Sequence, residues 1–165
     1  MIQLADGNMR VLAPVSTLDY FDSQSVDLAR QASALEAWNV IMSHPQPLLK
    51  IAFRVRDAIS SLFGVKRIGG FSGRRAAQVH VGDHLDFFLV EYVDDTCLVL
   101  TERDRHLDVM TCISTTVSTS GPTATVTSSV RVHNLFGHLY MIPVGIAHRW
   151  IVRGMLGRLR HDLSV

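Results

Sequence analysis

Two ionisable side chains that fall within apolar patterns, those of Glu91 and His148, are the best placed in this chain to do chemistry. Glu91 continues the alternating face that Phe87 and Leu89 begin, and His148 lies in helical phase with Ile151. A carboxylate and an imidazole that meet in an apolar cavity can orient a ligand or transfer a proton. Two plainer interpretations remain open: Glu91 reaches solvent beside a turn, or the two groups satisfy each other and the backbone.

A second group of residues with suitable chemistry, His106, Asp108 and His133, is expected on the opposite face of the same sheet. The His-x-Asp spacing puts two side chains on one side of a strand, and His133 falls across from Asp108 or one step away. Imidazole and carboxylate are ligands for divalent transition metals. The spacing matches no specific metal motif, so we predict no metal and no cofactor and favour a solvated face. Phe88 and Tyr92 on that face need cover, which a homodimer would provide.

The positions of both groups of residues depend on an antiparallel sheet. Alternating apolar and polar residues, interrupted by turn residues, indicate this sheet. Strands are predicted at 84–93, 96–102, 105–119 and 123–134, with shorter strands at 18–21 and 139–143. Two-residue loops would pair Val93 with Thr96, Glu102 with Arg105 and Thr119 with Pro122, although a four-residue loop serves the last hairpin equally well. This register places Glu91 on the apolar face, in a row with Leu98, Val109 and Val132.

Helical periodicity predicts three helices, from Leu28 to Ser43, from Leu48 to Phe63 and from Ala147 to Arg160. Ser25 and Asp27 are N-cap residue types ahead of the first helix. The glycines of residues 67–83 predict a mobile loop between the second helix and the sheet. Residues 1–13 have no strong pattern and are expected to be loosely held, within a single domain that spans 1–165.

Composition limits the class of protein. The 165 residues are 47% hydrophobic and 19% charged, as in a globular domain, and a net charge of +1 argues against nucleic-acid binding. The apolar runs are shorter than the roughly 20 residues that cross a bilayer, so no membrane span is predicted. Met1–Arg10 lacks the apolar core of a signal peptide. A cytoplasmic location is therefore expected, in which Cys97 and Cys112 stay reduced and simply pack.

Six runs, in order along the chain, resemble the DUF2867 family of bacterial proteins: LEAWNVIM, FRVRDAISSLFGVK, HLDFFLVE, RDRHLDVM, VRVHNLFGHLYMIPV and AHRWIVRGMLGRL. The resemblance covers about residues 14–160. It implies an α+β helix-grip fold similar to the START or SRPBCC class, with two helices near the N-terminus and a curved antiparallel sheet wrapped on a long C-terminal helix. The family supplies no catalytic residues, and some of its members look like fusions to nicotinamide-binding reductase domains, for which this chain has no room.

On these grounds we predict a protein that binds a small apolar or amphipathic ligand in a cavity between the sheet and the C-terminal helix. The residues predicted to line this cavity are Glu91, Asn134, Tyr140, His148, Leu89, Leu98 and Val109, with the 67–83 loop as its entrance. One alternative is a cyclase- or hydrolase-like enzyme that uses Glu91 and His148 as acid and base. Another is a dimeric assembly module that uses the face with Phe88 and Tyr92.

Overall fold

The main element of the fold is an antiparallel sheet of six strands, which is followed in the chain by a helix of 28 residues. The computed structural model describes residues 1–4, 8–43 and 71–163. In chain order the elements are β1 (Ile2–Gln3), β2 (Arg10–Val11), β3 (Tyr20–Asp27), α1 (Ala34–Ser43), β4 (His84–Leu85), β5 (Phe88–Val93), β6 (Cys97–Arg103), β7 (Leu107–Ser118), β8 (Gly121–Val132) and α2 (Leu135–Asp162).

The strands of the large sheet lie in the order β3-β8-β7-β6-β5-β4, so the first long strand pairs with the last one. Strands β1 and β2 form a separate two-stranded ribbon. The predicted α+β class, the curved antiparallel sheet and the long C-terminal helix are confirmed. The helix predicted at 48–63 lies outside the described residues. In the part of the chain that the structure describes, no helix is long and apolar enough to cross a membrane.

The segment before α1 is a strand rather than the start of a helix. Tyr20–Asp27 pairs along its whole length with β8, which satisfies its backbone groups in a ladder. The helix begins only at Ala34, where the hydroxyl of Ser33 accepts from the backbone N–H of Glu36 at 3.1 Å. The predicted start at Leu28 was therefore wrong, because the backbone N–H of Leu28 still bonds to the carbonyl oxygen of Pro122 at 2.8 Å and residues 28–33 are not helical. Ser25 and Asp27, predicted as N-caps, lie in β3.

One continuous helix, α2, also covers the region in which a strand was predicted at 139–143. The side chain of Asn134 caps this helix and accepts from the backbone N–H of Gly137 at 3.0 Å. Pro143 lies inside the helix. The strand prediction was wrong because a short apolar run is compatible with either a strand or a helix. The N-cap at Asn134 starts a helix that continues through this run.

The hairpin registers differ from the predicted ones by even numbers of residues at all three turns, and at the first turn Val93 pairs with Leu98. Strand β6 pairs Arg103 with Asp108, and the β7–β8 hairpin closes at Ser118 and Gly121. An even shift leaves every side chain on its predicted face, because side chains alternate with a period of two. The face predictions for β6, β7 and β8 are therefore correct although the paired residues are not.

The face of the sheet that α1 and α2 cover, called the inner face below, contains the main core. Leu98, Leu100 and Ile113 are fully buried there, together with Trp38 of α1 and Leu159 of α2. Each such large apolar side chain contributes about 1.5–3 kcal/mol when it leaves water. The packing of two helices on one sheet face therefore accounts for most of the buried apolar surface.

The opposite face, called the outer face, has a smaller buried cluster made by Cys97, Val99, Met110 and Cys112. The N-terminal ribbon covers it, and Leu12 packs against the cluster. Residues 71–83 run without regular structure and are fastened to α1, where the Asn39 side chain exchanges hydrogen bonds of 2.8 and 2.9 Å with the backbone of Ala76.

Candidate functional site

A β-bulge in β5 decides where Glu91 points. The pairing with β6 slips by one residue between Val90 and Tyr92. Glu91 lies at this bulge, and its carboxylate accepts a hydrogen bond of 2.6 Å from Nη2 of Arg103 on the outer face. The predicted position of Glu91 on the apolar face was therefore wrong, and it forms no acid–base pair with His148, which lies on the inner side.

The bulge also divides the other predicted contacts of β5 between the two faces. Leu89 pairs with Thr101 and is half-buried on the outer face, whereas Phe88 turns inward and packs edge-on against Trp38 at 6.3 Å between ring centroids. Tyr92 stays outside, where the guanidinium of Arg10 lies 3.4 Å from its ring centroid. Phe88 and Tyr92 therefore do not share a face, which removes the surface on which a dimer was predicted.

Of the remaining predicted contacts, Leu98 and Val109 do lie on the inner face, the first fully buried and the second half-buried. Asn134 is the cap of α2, and its side-chain amide also donates to Nδ1 of His106 at 2.8 Å. Tyr140 stacks on Phe136 with 6.4 Å between ring centroids. The contacts of Asn134 are structural, since they fix the start of α2.

His148 is the predicted residue that the structure places in a polar group on the inner face. Its Nε2 lies 3.3 Å from Oγ of Ser128 in β8, and its Nδ1 lies 3.4 Å from Oη of Tyr20 in β3. The rings of Tyr20 and His148 meet edge-on with 5.7 Å between centroids. We call these three side chains the Tyr20–Ser128–His148 cluster.

Sequence reasoning missed Tyr20 and Ser128. The available signal was a hydroxyl on an otherwise apolar face, because Ser128 alternates with Val126 and Val130. Nothing in the sequence shows that Tyr20 lies beside it, since that depends on the pairing of β3 with β8. Gly145 permits the close approach of α2, because a Cβ there would lie 3.0 Å from Cε2 of Tyr20.

The hydrogen bonds of Tyr20 favour one tautomer of His148. The Tyr20 hydroxyl donates to the carbonyl oxygen of Gly145 at 3.2 Å, so its oxygen accepts from Nδ1–H of the imidazole. Nε2 is then unprotonated and accepts from the hydroxyl of Ser128. A serine hydroxyl that donates to an imidazole is the arrangement of a nucleophile with its general base.

Burial keeps the groups of the cluster uncharged. It lowers the pKa of His148, and the charge of Asp22 opposes this only in part. Burial also raises the pKa of Tyr20, and the Asp22 carboxylate adds to that effect while Arg149 opposes it. His148 is therefore a neutral imidazole near pH 7, with one donor and one acceptor nitrogen.

Asp22 is the charged group beside the cluster, and its charge is compensated. Nε of Arg149 lies 3.6 Å from Oδ1 of Asp22, and Nε2 of Gln24 donates to Oδ2 at 2.7 Å. The same amide donates to the backbone oxygen of Arg149 at 3.1 Å. These contacts tie β3 to α2 next to His148 and leave a neutral hydrogen-bonding group on the inner face.

The inner face beside the cluster is incompletely buried. Thr111 pairs with Ser128 in the β7–β8 ladder and is half-buried. Leu107 and Val109 on β7 and Val132 on β8 are half-buried too. An accessible apolar strip therefore runs next to the polar cluster, whereas the part of the inner face under α1 is fully closed.

The three residues considered for a metal do not converge. Nε2 of His133 lies 3.2 Å from Oδ1 of Asp108, as neighbouring strands would place them. His106 instead packs edge-on against Phe136 at 4.7 Å between ring centroids. Among residues 1–4, 8–43 and 71–163, no group of three or more His, Cys, Asp or Glu side chains could hold a metal ion.

A cleft of about 450 Å³ opens at the C-terminal end of α2. Its lining residues are Arg30, Glu36, Asn39, Val40, Arg75, His161, Asp162 and Leu163. Arg30 and Glu36 form an ion pair of 2.6 Å on its wall. Because most of this lining is charged or polar, the cleft is a poor match for an apolar ligand.

Comparison with known proteins agrees with the resemblance seen in the sequence. The model of a protein family of unknown function, DUF2867, matches residues 14–155, and the chain belongs to this family. None of the curated proteins searched matches the chain.

Proposed function

We propose that this member of the DUF2867 family binds a small, mainly apolar molecule that carries one hydroxyl or carbonyl group, on the inner face between the sheet and α2. The observation that carries the proposal is the neutral, half-buried imidazole of His148, held between two hydroxyls beside an accessible apolar strip. Ligand sites are commonly built this way, from an apolar wall and a few convergent polar groups.

The geometry of the cluster suits exchange with a ligand. The O–H···O bond from Tyr20 to Gly145 is 3.2 Å long, against a usual distance of about 2.7–2.8 Å, and the two N···O contacts of His148 are 3.3 and 3.4 Å long, against about 2.9–3.0 Å. Long hydrogen bonds are weak, so a ligand carbonyl can take the Ser128 hydroxyl, or a ligand hydroxyl can donate to Nε2 of His148, at small loss. A charged ligand is disfavoured, because the site is neutral and Asp22 is already compensated.

The arrangement of elements supports the proposal. The described part of the chain has the sheet and the long terminal helix expected of a helix-grip domain, and the candidate site lies where α2 crosses β3 and β8. This correspondence of fold is an analogy and does not by itself assign a ligand.

Native mass spectrometry of the purified protein, compared with the denatured mass, is the first test, because a co-purified ligand appears as extra mass that denaturation removes. Binding of Nile red, a neutral apolar dye with a carbonyl group, gives a quantitative second measurement. Two adjacent serines in β8 offer a matched pair of variants: Ser128 faces inward and Ser129 faces outward, and both are buried.

Ser128→Ala removes one hydrogen bond of the site and should weaken dye binding by roughly two- to tenfold. Ser129→Ala removes only the contact of its hydroxyl with the backbone N–H of Leu12, which is 3.2 Å long on the outer face, and should leave binding unchanged. Equal affinities for the two variants, together with a native mass that shows no bound molecule, would rule out the proposed site.

A second candidate function is acyl transfer or ester hydrolysis with Ser128 as the nucleophile. The specific observation in its favour is the 3.3 Å contact between the Ser128 hydroxyl and Nε2 of His148, which in the tautomer with Nδ1 protonated accepts the serine proton. Acylation requires Oγ of Ser128 itself, which is only 2% exposed, whereas a bound ligand can also use Nε2 of the half-buried His148, and this ranks the enzymatic function second. Turnover of p-nitrophenyl acetate that Ser128→Ala abolishes and Ser129→Ala preserves would establish it; no turnover above the buffer rate would exclude this ester chemistry.

A further inference from the structure

Two buried thiols lie side by side on the outer face, on the side of the sheet opposite His148. Cys112 pairs with Val99 and Cys97 with Ser114, so the cysteines are diagonal neighbours on β6 and β7. Their sulfur atoms are 3.7 Å apart and carry no disulfide. Cys97 is 1% exposed and Cys112 is fully buried.

The two thiols have different surroundings. The sulfur of Cys112 lies 3.7 Å from that of Cys97 and accepts a hydrogen bond of 3.3 Å from the backbone N–H of Arg10. The Cys97 thiol also lies 3.3 Å from the backbone oxygen of Asn8, to which it can donate. Hydrogen bonding from Cys97, aided by the backbone N–H and charge of Arg10, lowers the pKa of Cys112 against the opposing effect of burial. The same thiol–thiol contact and burial raise the pKa of Cys97.

Arg10 adds an independent indication that the site accommodates a negative charge. Its Nε is buried and has no hydrogen-bond partner among the described residues. The guanidinium is held over the Tyr92 ring next to the thiol pair. Arg10 is half-buried, and a cation partly withdrawn from water is stabilised by an anion nearby; a thiolate at Cys112 would be that anion.

We propose that Cys97 and Cys112 form a reversible redox site beneath the N-terminal ribbon, closing to an intramolecular disulfide on reaction with hydrogen peroxide. The Cys112 thiolate attacks a peroxide oxygen, the O–O bond breaks, and a sulfenic acid and one water form once a proton is taken up. The Cys97 sulfur then attacks the sulfenic sulfur, loses its proton and displaces a second water. Two thiols and one peroxide thus yield one disulfide and two waters, with two electrons passing from sulfur to peroxide.

Oxidation removes a contact between the N-terminal ribbon and the sheet. The sulfurs must close from 3.7 Å to about 2.05 Å, and both thiol protons are lost. The backbone oxygen of Asn8 then loses the donor it has in Cys97. The ribbon covers both sulfurs, so peroxide enters when residues 8–12 lift, and the disulfide in turn favours the lifted ribbon.

The experiment treats the reduced full-length chain with hydrogen peroxide under native conditions and follows intact mass and free thiols counted after denaturation. The expected product is a monomer about 2 Da lighter with no free thiol, which dithiothreitol restores. Cys97→Ser keeps the more reactive thiol and should trap dimedone as a sulfenic acid faster than Cys112→Ser does. Retention of both thiols, mass gains of about 16 Da without the loss of 2 Da, or disulfide-linked dimers would each overturn the proposal.

The cover is tested separately by Thr96→Val. The Thr96 hydroxyl accepts a hydrogen bond of 2.7 Å from the Asn8 side chain and so helps to hold the ribbon down. Its loss should speed disulfide formation roughly two- to tenfold, and trypsin should cut after Arg10 faster in oxidised than in reduced protein. An unchanged oxidation rate, or equal cleavage in the two redox states, would show that the ribbon is not the cover.

Discussion

Replacing Gly137 by alanine tests how the start of α2 docks on the sheet. A Cβ at this position would lie 2.5 Å from the backbone oxygen of His106 and 2.6 Å from Cγ1 of Val132. Gly154 lies further along the same helix, and a Cβ there would meet no atom within 4 Å. The two variants add the same methyl group to the same helix, once into a closed contact and once into open space.

The expected magnitudes follow from two opposed effects. Alanine is better than glycine inside a helix by about 1 kcal/mol, so Gly154→Ala should raise the free energy of unfolding by about that amount. At Gly137 this gain is opposed by overpacking, which costs about 1–3 kcal/mol. We expect a cost near the upper end of this range, because the atom in the way is the backbone oxygen of His106. This oxygen accepts a hydrogen bond of 2.8 Å from the backbone N–H of His133. Gly137→Ala should therefore lower stability by about 1–2 kcal/mol net.

Urea unfolding followed by circular dichroism measures this difference, with the fluorescence of the buried Trp38 as a second probe. A separation of about 2–3 kcal/mol between the two variants is expected, or roughly 4–12 °C in melting temperature for a domain of this size. Equal m-values confirm that the same surface unfolds in both. If Gly137→Ala is as stable as Gly154→Ala, the start of α2 does not pack against the β6–β7 turn as described.

Three further predictions concern the titration of His148, the bulge in β5 and the N-terminal cap of α2. Burial lowers the pKa of His148 in the folded protein, so the unfolded chain binds the proton more readily and stability falls as the pH drops through 6.5. The loss is at most about 1.4 kcal/mol per pH unit, and urea titrations at several pH values should show that His148→Gln removes this part of the slope. Val90→Lys should lower stability by several kcal/mol, whereas Leu89→Lys is tolerated, because only Val90 is fully buried on the inner face; the reverse order would contradict the bulge. Asn134→Ala should lower stability by about 1 kcal/mol through loss of the cap, and Asn134→Asp should keep most of it in thermal unfolding.

Much of the fold was predictable because local patterns survive in it. The alternation of β6, β7 and β8 assigned their faces correctly even though the paired residues were wrong, since both registers shifted by even numbers. The periodicity of residues 147–160 also falls within a true helix. The predictions that were wrong concern the ends of elements. Strand β3 extends beyond the apolar residues that predicted it, and α2 begins before the residues that show regular helical periodicity.

The candidate site was predicted only at His148. The face of Glu91 was predicted wrongly because β5 contains a single-residue bulge, and no turn residue in the sequence marks it. The bulge reverses the face of every residue before it in β5. Ser128 stands out only as a hydroxyl between two valines on its face of β8, and the position of Tyr20 beside it depends on the pairing of β3 with β8. Their importance arises from what lies next to them.

The sequence by itself determined the α+β class, the family and the faces of the three strands whose hairpins kept their parity, because these depend on patterns that repeat every two or every 3.6 residues. Only the tertiary structure decided which side chains meet. The pairing of β3 with β8 brings Tyr20 close to Ser128, Gly145 lets the helix descend onto both, and the bulge sends Glu91 to the outer face. Such contacts join residues far apart in the chain, and a periodic pattern carries no information about them.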